Sequence, residues 1–173
     1  MKSCMEIMLT RRSTKKYTDQ MPTREDLDKI VEAGLWAASG RNLQAPIIIA
    51  VTNKEIRDRL SADNAAIMGA KSDPFYNAPC VMVVLGEKIA HTYVYDGSLS
   101  LGNMMLAAEE LGLGSCWIHR AKEVMALPHW QEWIRSLGLE GEYEGIGNLV
   151  VGHPDGDFSA AKPRREGRIL WVE

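Results

Sequence analysis

The chain has 173 residues, of which 46% are hydrophobic and 25% are charged, and its formal net charge is −3 at pH 7. A chain of this length can bury roughly 70% of its unfolded surface in one core, so we expect residues 1–173 to form a single domain. The small net charge argues against general nucleic-acid binding. An apolar stretch of about 18 residues and a secretory signal are both missing from the sequence, which predicts neither a membrane span nor export.

The cysteines and histidines give no sign of a metal or redox centre. Cys4, Cys80 and Cys116 are odd in number and widely spaced, which is typical of a protein in the reducing cytoplasm. The four histidines lack the spacing of metal ligands. We therefore expect a cytoplasmic protein without a bound metal.

Capping patterns predict the first two helices. Ser3 and Glu6 form a capping box ahead of the first helix, and Thr23 with Asp26 begins the second. The spacing of four apolar residues predicts the buried stripe of this second helix: Leu27, Ile30, Val31 and Leu35.

Apolar runs predict the strands. They are residues 47–51, 81–85, 115–118, 145–152 and 168–172. Between them, residues 54–70 indicate one or two short helices, residues 124–127 a further helix, and Pro128 the start of a last one. The loop before the first strand carries the amides Asn42 and Gln44, whose commoner use is in capping and turns.

A helix from Asp96 to Leu111 is the predicted centre of the fold. Asp96 suits an N-cap, Gly112 and Gly114 suit left-handed stop positions, and apolar residues surround most of the helix. A helix that is apolar nearly all round is buried. Small residues such as Gly102 would also let another backbone approach, so the helix is either an ordinary core helix or one that partly meets a second subunit.

Positive charge is concentrated near the two ends of the chain. The clusters are Arg11, Arg12, Lys15 and Lys16 at one end and Lys162, Arg164, Arg165 and Arg168 at the other. They are either two solvated tails or two halves of a clamp around one phosphate. Because no nucleophile elbow, Walker loop, GxGxxG or HExxH motif is present, a phosphate-bearing cofactor such as FMN could supply the chemistry.

Five motifs in a fixed order resemble the FMN-dependent nitroreductase family. They are Arg11-Arg12-Ser13-x-Lys15-x-Tyr17, residues 38–44, Ala78-Pro79, residues 112–118 and residues 151–154. Each motif is weak alone, but together they span about the whole chain in the family's order.

The resemblance implies an α+β fold, namely a nitroreductase-like α/β/α sandwich with a central mixed, mainly antiparallel sheet and a long buried central helix. It also implies an intertwined homodimer that binds FMN at the subunit interface. Such an enzyme passes electrons from NADH or NADPH to a nitroaromatic, quinone or similar small acceptor in two successive half-reactions. An FMN-binding protein without reductase turnover, or a flavin-modifying enzyme of the same fold, is the alternative.

The same resemblance assigns cofactor-binding residues by position. Beside the phosphate and ribityl chain it places Arg11, Arg12, Ser13, Lys162 and Arg164. Lys15 would face the pyrimidine edge and favour the negative charge that develops there on reduction. From the partner subunit would come Ser39, Gly40, Asn42 and Gln44, and over one face of the ring would lie Trp117, Ile118 and His119. Many relatives carry a glycine or acidic residue where this chain has His119-Arg120, in the turn whose backbone N–H approaches the flavin N5. No side chain is assigned as a catalytic acid or base.

Overall fold

The computed structural model describes residues 2–156 and 160–173, and these form six α-helices and a four-stranded sheet. The helices are α1 (Cys4–Thr10), α2 (Arg24–Leu35), α3 (Lys54–Met68), α4 (Tyr93–Glu110), α5 (Ala121–Met125) and α6 (Pro128–Ser136). The strands are β1 (Pro46–Val51), β2 (Cys80–Glu87), β3 (Gly114–Ile118) and β4 (Tyr143–Gly152). A short 3-10 turn, Gly40–Asn42, precedes β1.

The strands lie in the order β1-β2-β4-β3, and each neighbouring pair is antiparallel. This confirms the mainly antiparallel sheet. A parallel pairing also occurs at the outer edge of β3, where Ser13 bridges Ser115. The segment after α1 is thereby attached to the edge of the sheet.

Successive side chains of the strands point to opposite faces of the sheet and pack into two separate cores. On one face, Met82 and Leu149 pack with Ile30 of α2 and Met104 of α4. On the other face, Val83 and Val150 pack with Leu60 of α3, Val124 of α5 and Trp130 of α6. Helices therefore cover both sides of the sheet, and the predicted α/β/α sandwich is confirmed.

Local caps explain why the first and third helices begin where they do. The capping box is present: Ser3 N–H donates to Glu6 Oε2 at 2.6 Å, and Glu6 N–H donates to Ser3 Oγ at 3.2 Å. The Asn53 side chain accepts from Ile56 N–H at 3.0 Å, and Gly69 ends α3 with φ 69°. Residues 54–68 therefore form one helix rather than two.

The predicted start of the central helix was wrong. α4 begins at Tyr93, and Asp96 is a buried residue of its first turn rather than the N-cap. Its carboxylate accepts from Thr92 Oγ at 2.9 Å and from Gly40 N–H at 3.1 Å. The carboxylate thus joins the Ser39–Gln44 loop to α4.

The two glycines after α4 do different things. Gly112 has φ 73°, which confirms the left-handed stop. Gly114 instead belongs to β3, and a Cβ there would lie 2.6 Å from Thr14 Oγ. This glycine is needed for the close approach of the Ser13 segment to β3.

Burial of α4 and α2 is less complete than their sequences predict. On α4, Tyr95 is 71% exposed and Leu99 50%, so the helix is not buried all round. Leu35, placed in the buried stripe of α2, is 59% exposed, whereas Leu27 and Ile30 are buried as expected. The second possibility for α4, a surface that meets another subunit, therefore stays open.

The predicted last strand is not formed. Residues 168–172 adopt no regular structure, and Leu170, Trp171 and Val172 are 85% to 99% exposed. A strand needs a neighbouring edge for its backbone hydrogen bonds. In the described part of this chain, the segment pairs with none.

Candidate cofactor site

A cleft of about 1040 Å³ lies between the segment after α1 and the C-terminal tail. We call it the basic cleft; it is lined by residues 8–9, 11–16, 154–156 and 160–164. Six cationic side chains and one carboxylate, that of Asp155, are among these lining residues. The cations are Arg11, Arg12, Lys15, Lys16, Lys162 and Arg164. Clusters about 150 residues apart in sequence thus meet in one place, as the clamp hypothesis requires.

Arg11 carries a buried hydrogen-bond donor that faces no acceptor in the described chain. Its Nη1 atom is buried and has no hydrogen-bond partner among residues 2–156 and 160–173. A buried guanidinium nitrogen without an acceptor is costly. An anionic oxygen in the basic cleft would remove that cost, so the arrangement fits a phosphate.

The other cations are partly engaged within the chain. Arg12 Nη1 donates to the carbonyls of Leu9 at 2.9 Å and Arg11 at 2.7 Å. Lys16 pairs with Asp155 at 2.8 Å, and Arg164 Nη2 donates to Lys162 O at 2.7 Å. Arg12 therefore also supports the end of α1, in addition to contributing positive charge to the cleft.

The edge of β3 continues away from the cleft. Ser115 lies beside Ser13, and His119 follows four residues later, about 13 Å along an extended chain. Trp117 and His119 are exposed there, with ring centroids 5.5 Å apart. Ile118 points the other way and is 7% exposed in the core beneath α3 and α5, so its side chain is a packing residue.

The Ser39–Gln44 loop lies elsewhere in the single chain. Its residues do not line the basic cleft, and Gly40 is held against Thr92 and Asp96 at the start of α4. Arg41, Asn42 and Gln44 all have positive φ, of 52°, 55° and 51°. Three such residues so close together store strain, which is typical of functional loops. The side chains of Asn42 and Gln44 are exposed and bond to each other at 3.2 Å.

A polar hub that the sequence did not reveal lies beside Lys15. Asp73 accepts from Arg57 Nη2 at 2.5 Å, from Ser61 Oγ, and from the backbone N–H groups of Phe75 and Asn77, both at 2.7 Å. These hydrogen bonds outweigh the effect of burial and lower the pKa of Asp73. The hub holds the loop that carries Tyr76, whose ring lies 5.9 Å from Lys15 Nζ.

Cys116 is a packing residue next to this site. Burial raises the pKa of its thiol, while a hydrogen bond with Ser13 and the positive charges of Lys15 and Arg11 act in the opposite direction. The net pKa is above the ordinary value, so the thiol stays protonated at neutral pH. Cys116 is 5% exposed and packs in the core on the α3, α5 and α6 side of the sheet.

Comparisons with known proteins agree with this geometry. The family model described as the nitroreductase family matches residues 8–153. This chain belongs to the nitroreductase family. An FMN reductase (NADPH) of Bacillus subtilis is 29% identical over 197 residues, covering 100% of this chain and 74% of that protein.

Solved nitroreductase structures share the whole fold. Crystal structures of nitroreductases with bound FMN from Bacteroides fragilis and Desulfitobacterium hafniense each superpose with a TM-score of 0.87 and 26% identity. In both cases the alignment covers 100% of this chain and 100% of the other. The resemblance inferred from the five sequence motifs is therefore confirmed at the level of family and fold.

Within residues 2–156 and 160–173, no group of three or more His, Cys, Asp or Glu side chains could bind a metal ion. In the same residues, no helix is long and apolar enough to cross a bilayer.

Proposed function

We propose that this chain, as a single domain, is an FMN-dependent oxidoreductase that passes electrons from NADH or NADPH to a small acceptor such as a nitroaromatic or a quinone. The observation that carries the proposal is the basic cleft, where the two ends of the chain converge around Arg11 Nη1, which has no hydrogen-bond partner among the described residues. FMN-bound nitroreductases of the same fold support it.

The residues fit FMN in a particular direction. Its phosphate would bind Arg11, Lys162 and Arg164, with Arg12 and Ser13 beside it. Its ring would then extend along the edge of β3 toward Trp117 and His119, about one ribityl chain away. When bound, FMN accepts a hydride from the nicotinamide and delivers two electrons to the acceptor.

Lys15 is suited to act at the ring. Lys15 follows the Ser13 bridge to β3 by two residues and lines the basic cleft, and its Nζ lies 5.9 Å from the ring of Tyr76. Its ammonium group would stabilise negative charge on the pyrimidine edge. The ring face left open to solvent would admit donor and acceptor in turn, which is the two-step order we propose.

The proposal includes a homodimer with FMN at the subunit interface. The exposed apolar side chains of one chain concentrate on α1, the end of α2, α4 and the C-terminal tail: Met5, Met8, Leu9, Leu35, Trp36, Tyr95, Leu99, Ile169, Leu170, Trp171 and Val172. Exposed apolar surface of this extent is typical of a subunit interface. Ser39, Gly40, Asn42 and Gln44 lie next to this surface and would reach the partner's flavin. Three free cysteines are consistent with a reducing cytoplasm.

The test is to purify the protein, quantify flavin released on denaturation, and measure NADH and NADPH oxidation with and without an added quinone or nitroaromatic. We expect a yellow protein with about one FMN per chain and acceptor-dependent turnover. FMN binding without NAD(P)H oxidation would favour the flavin-binding or flavin-modifying alternative. A colourless protein that does not bind added FMN would contradict both.

A further inference from the structure

The turn between β3 and α5 is held from inside the fold by a side chain of α3. Asn64 is 0% exposed, and its Nδ2 donates to the carbonyl oxygen of His119 at 2.8 Å. The two residues are 55 positions apart, so this is a tertiary contact rather than a local turn bond. It fixes the peptide that joins His119 to Arg120.

Arg120 has a backbone conformation that residues with side chains seldom adopt. Its φ is 75° and its ψ is 15°, in the left-handed region. Its carbonyl accepts from Val124 N–H at 3.0 Å, and the peptide before it is held by Asn64. Because bonds act on both sides of Arg120, the strained conformation is maintained.

The geometry of a trans peptide then determines where the Arg120 N–H points. A trans peptide directs its C=O and its N–H to opposite sides, and no described peptide is cis. Since the His119 C=O points inward to Asn64, the Arg120 N–H points away from α3. The hydrogen bonds among residues 2–156 and 160–173 give this N–H no acceptor.

We propose that Asn64 is a positioning residue for the flavin: by fixing the His119–Arg120 peptide, it presents the Arg120 N–H as a donor to the polar edge of the isoalloxazine ring. This inference rests on the proposed function. The Oδ1 atom of Asn64 is buried and without a partner in the described chain, so burial of this amide carries a desolvation cost. An apolar side chain would fill the same space without that cost, so packing alone does not account for the amide.

The test compares the wild type with Asn64→Leu and with a matched control, Asn103→Leu. Asn103 makes the same kind of bond, Nδ2 to Ala33 O at 3.1 Å, but between α4 and α2. The dissociation constants of FMN and riboflavin and the midpoint potential of the bound flavin are measured for all three proteins. We expect Asn64→Leu to weaken the binding of FMN and of riboflavin by a similar factor, about 3- to 10-fold, and to shift the midpoint potential of the bound flavin. Asn103→Leu should leave that potential unchanged.

An equal loss of affinity for FMN and riboflavin would show that Asn64→Leu disturbs binding of the ring, because riboflavin lacks the phosphate. An Asn64→Leu protein with the wild-type potential and riboflavin affinity would overturn the positioning role while leaving the proposed function intact. A wild type that binds neither flavin would overturn both.

A second measurement on the wild type covers the case in which Asn64→Leu fails to fold. Amide hydrogen exchange at Arg120 should be fast without flavin and slow with riboflavin bound. An Arg120 amide that is already protected in the flavin-free protein, or that riboflavin does not protect, would contradict the inference.

Discussion

The two helical layers differ in how much of their apolar surface a single chain covers. Beneath α3, α5 and α6, Asp63 accepts from His129 Nε2 at 2.8 Å and from Trp130 Nε1 at 2.7 Å, and Trp130 is 1% exposed. On the α2 and α4 side, Trp36 is 80% exposed and Leu99 50%. The first layer is closed, and the second presents apolar surface that its own chain does not cover.

This difference predicts different outcomes for substitutions in the two layers. The closed layer holds the Asp73 hub and Asn64, which act on neighbouring loops through internal bonds. The open layer lies beside the Ser39–Gln44 loop, whose Gly40 N–H donates to Asp96 of α4. Disruption of the closed layer should therefore lower the free energy of unfolding, whereas disruption of the open layer should leave a stable chain that assembles or binds poorly.

Deletion of residues 168–173 should have the largest effect. Each fully buried apolar side chain contributes roughly 1.5 to 3 kcal/mol, so the loss of Ile169, Leu170, Trp171 and Val172 from each copy should weaken a dimer by at least about 1000-fold. We expect light scattering to change from about twice the chain mass of 19.3 kDa to once that mass, with helical circular dichroism retained. A truncated protein that remains dimeric would show that the tail is not part of the interface.

The next largest effect is expected in the closed layer. Asp73→Asn removes the carboxylate that accepts from Arg57, Ser61 and two backbone amides. We expect the free energy of unfolding to fall by about 3 kcal/mol, near the low end for a broken buried ion pair because Asp73 is 22% exposed. Urea denaturation measures it.

Asp58→Asn is the matched control for Asp73→Asn. Asp58 pairs with the same guanidinium at 3.0 Å, but its side chain is 44% exposed. The pair should therefore contribute only about 0 to 1 kcal/mol. Equal destabilisation by the two variants would contradict the assignment of Asp73 as the centre of the hub.

Changes in the basic cleft should weaken FMN binding without unfolding the protein. Arg11→Ala and Arg164→Ala each remove a charge-assisted bond to the phosphate, worth about 1.5 to 3 kcal/mol or roughly 10- to 150-fold in affinity. Because both side chains would share one phosphate, the double variant should depart from additivity. Titration of FMN against flavin fluorescence measures these effects.

Two controls test the specificity of that effect. Riboflavin lacks the phosphate, so its affinity should hardly change in either variant. Arg165→Ala removes an adjacent exposed cation that does not line the basic cleft, and FMN affinity should stay near the wild-type value. If both flavins lost affinity equally, the phosphate would have to bind elsewhere.

The sequence was most informative where structure depends on neighbours along the chain. The caps at Ser3 and Thr23 were confirmed, since their hydrogen bonds span three residues. The apolar runs 81–85 and 145–152 became the central strands β2 and β4, whereas the equally apolar run 47–51 became the edge strand β1. The two basic clusters indicated a shared phosphate site because both ends of the chain carry arginine and lysine side chains.

The sequence was misleading where the deciding contact is distant or lies outside the chain. Asp96 resembles an N-cap, but its carboxylate bonds to Gly40, 56 residues away. Asp73 and Asn64 are ordinary polar residues until the fold brings their partners to them. Residues 168–172 contain an apolar run with the β-branched Ile169 and Val172, which is typical of a strand, yet strand formation requires an edge to pair with.

The smallest predicted effect is a loss of stability in acid that depends on the hub. The pKa of Asp73 is lowered in the folded state, since its hydrogen bonds with Ser61, Arg57 and two amides outweigh burial. Its contribution is therefore complete above the pKa of an unfolded aspartate, about 3.9, and is lost as pH falls through the lower folded value. The wild type should lose more free energy of unfolding between about pH 5 and pH 2 than Asp73→Asn does, as measured by urea denaturation at several pH values. Parallel profiles for the two proteins would mean that Asp73 does not carry the acid sensitivity. The truncated protein lacking residues 168–173 should keep the wild-type profile, because the open layer contributes no part of this hub.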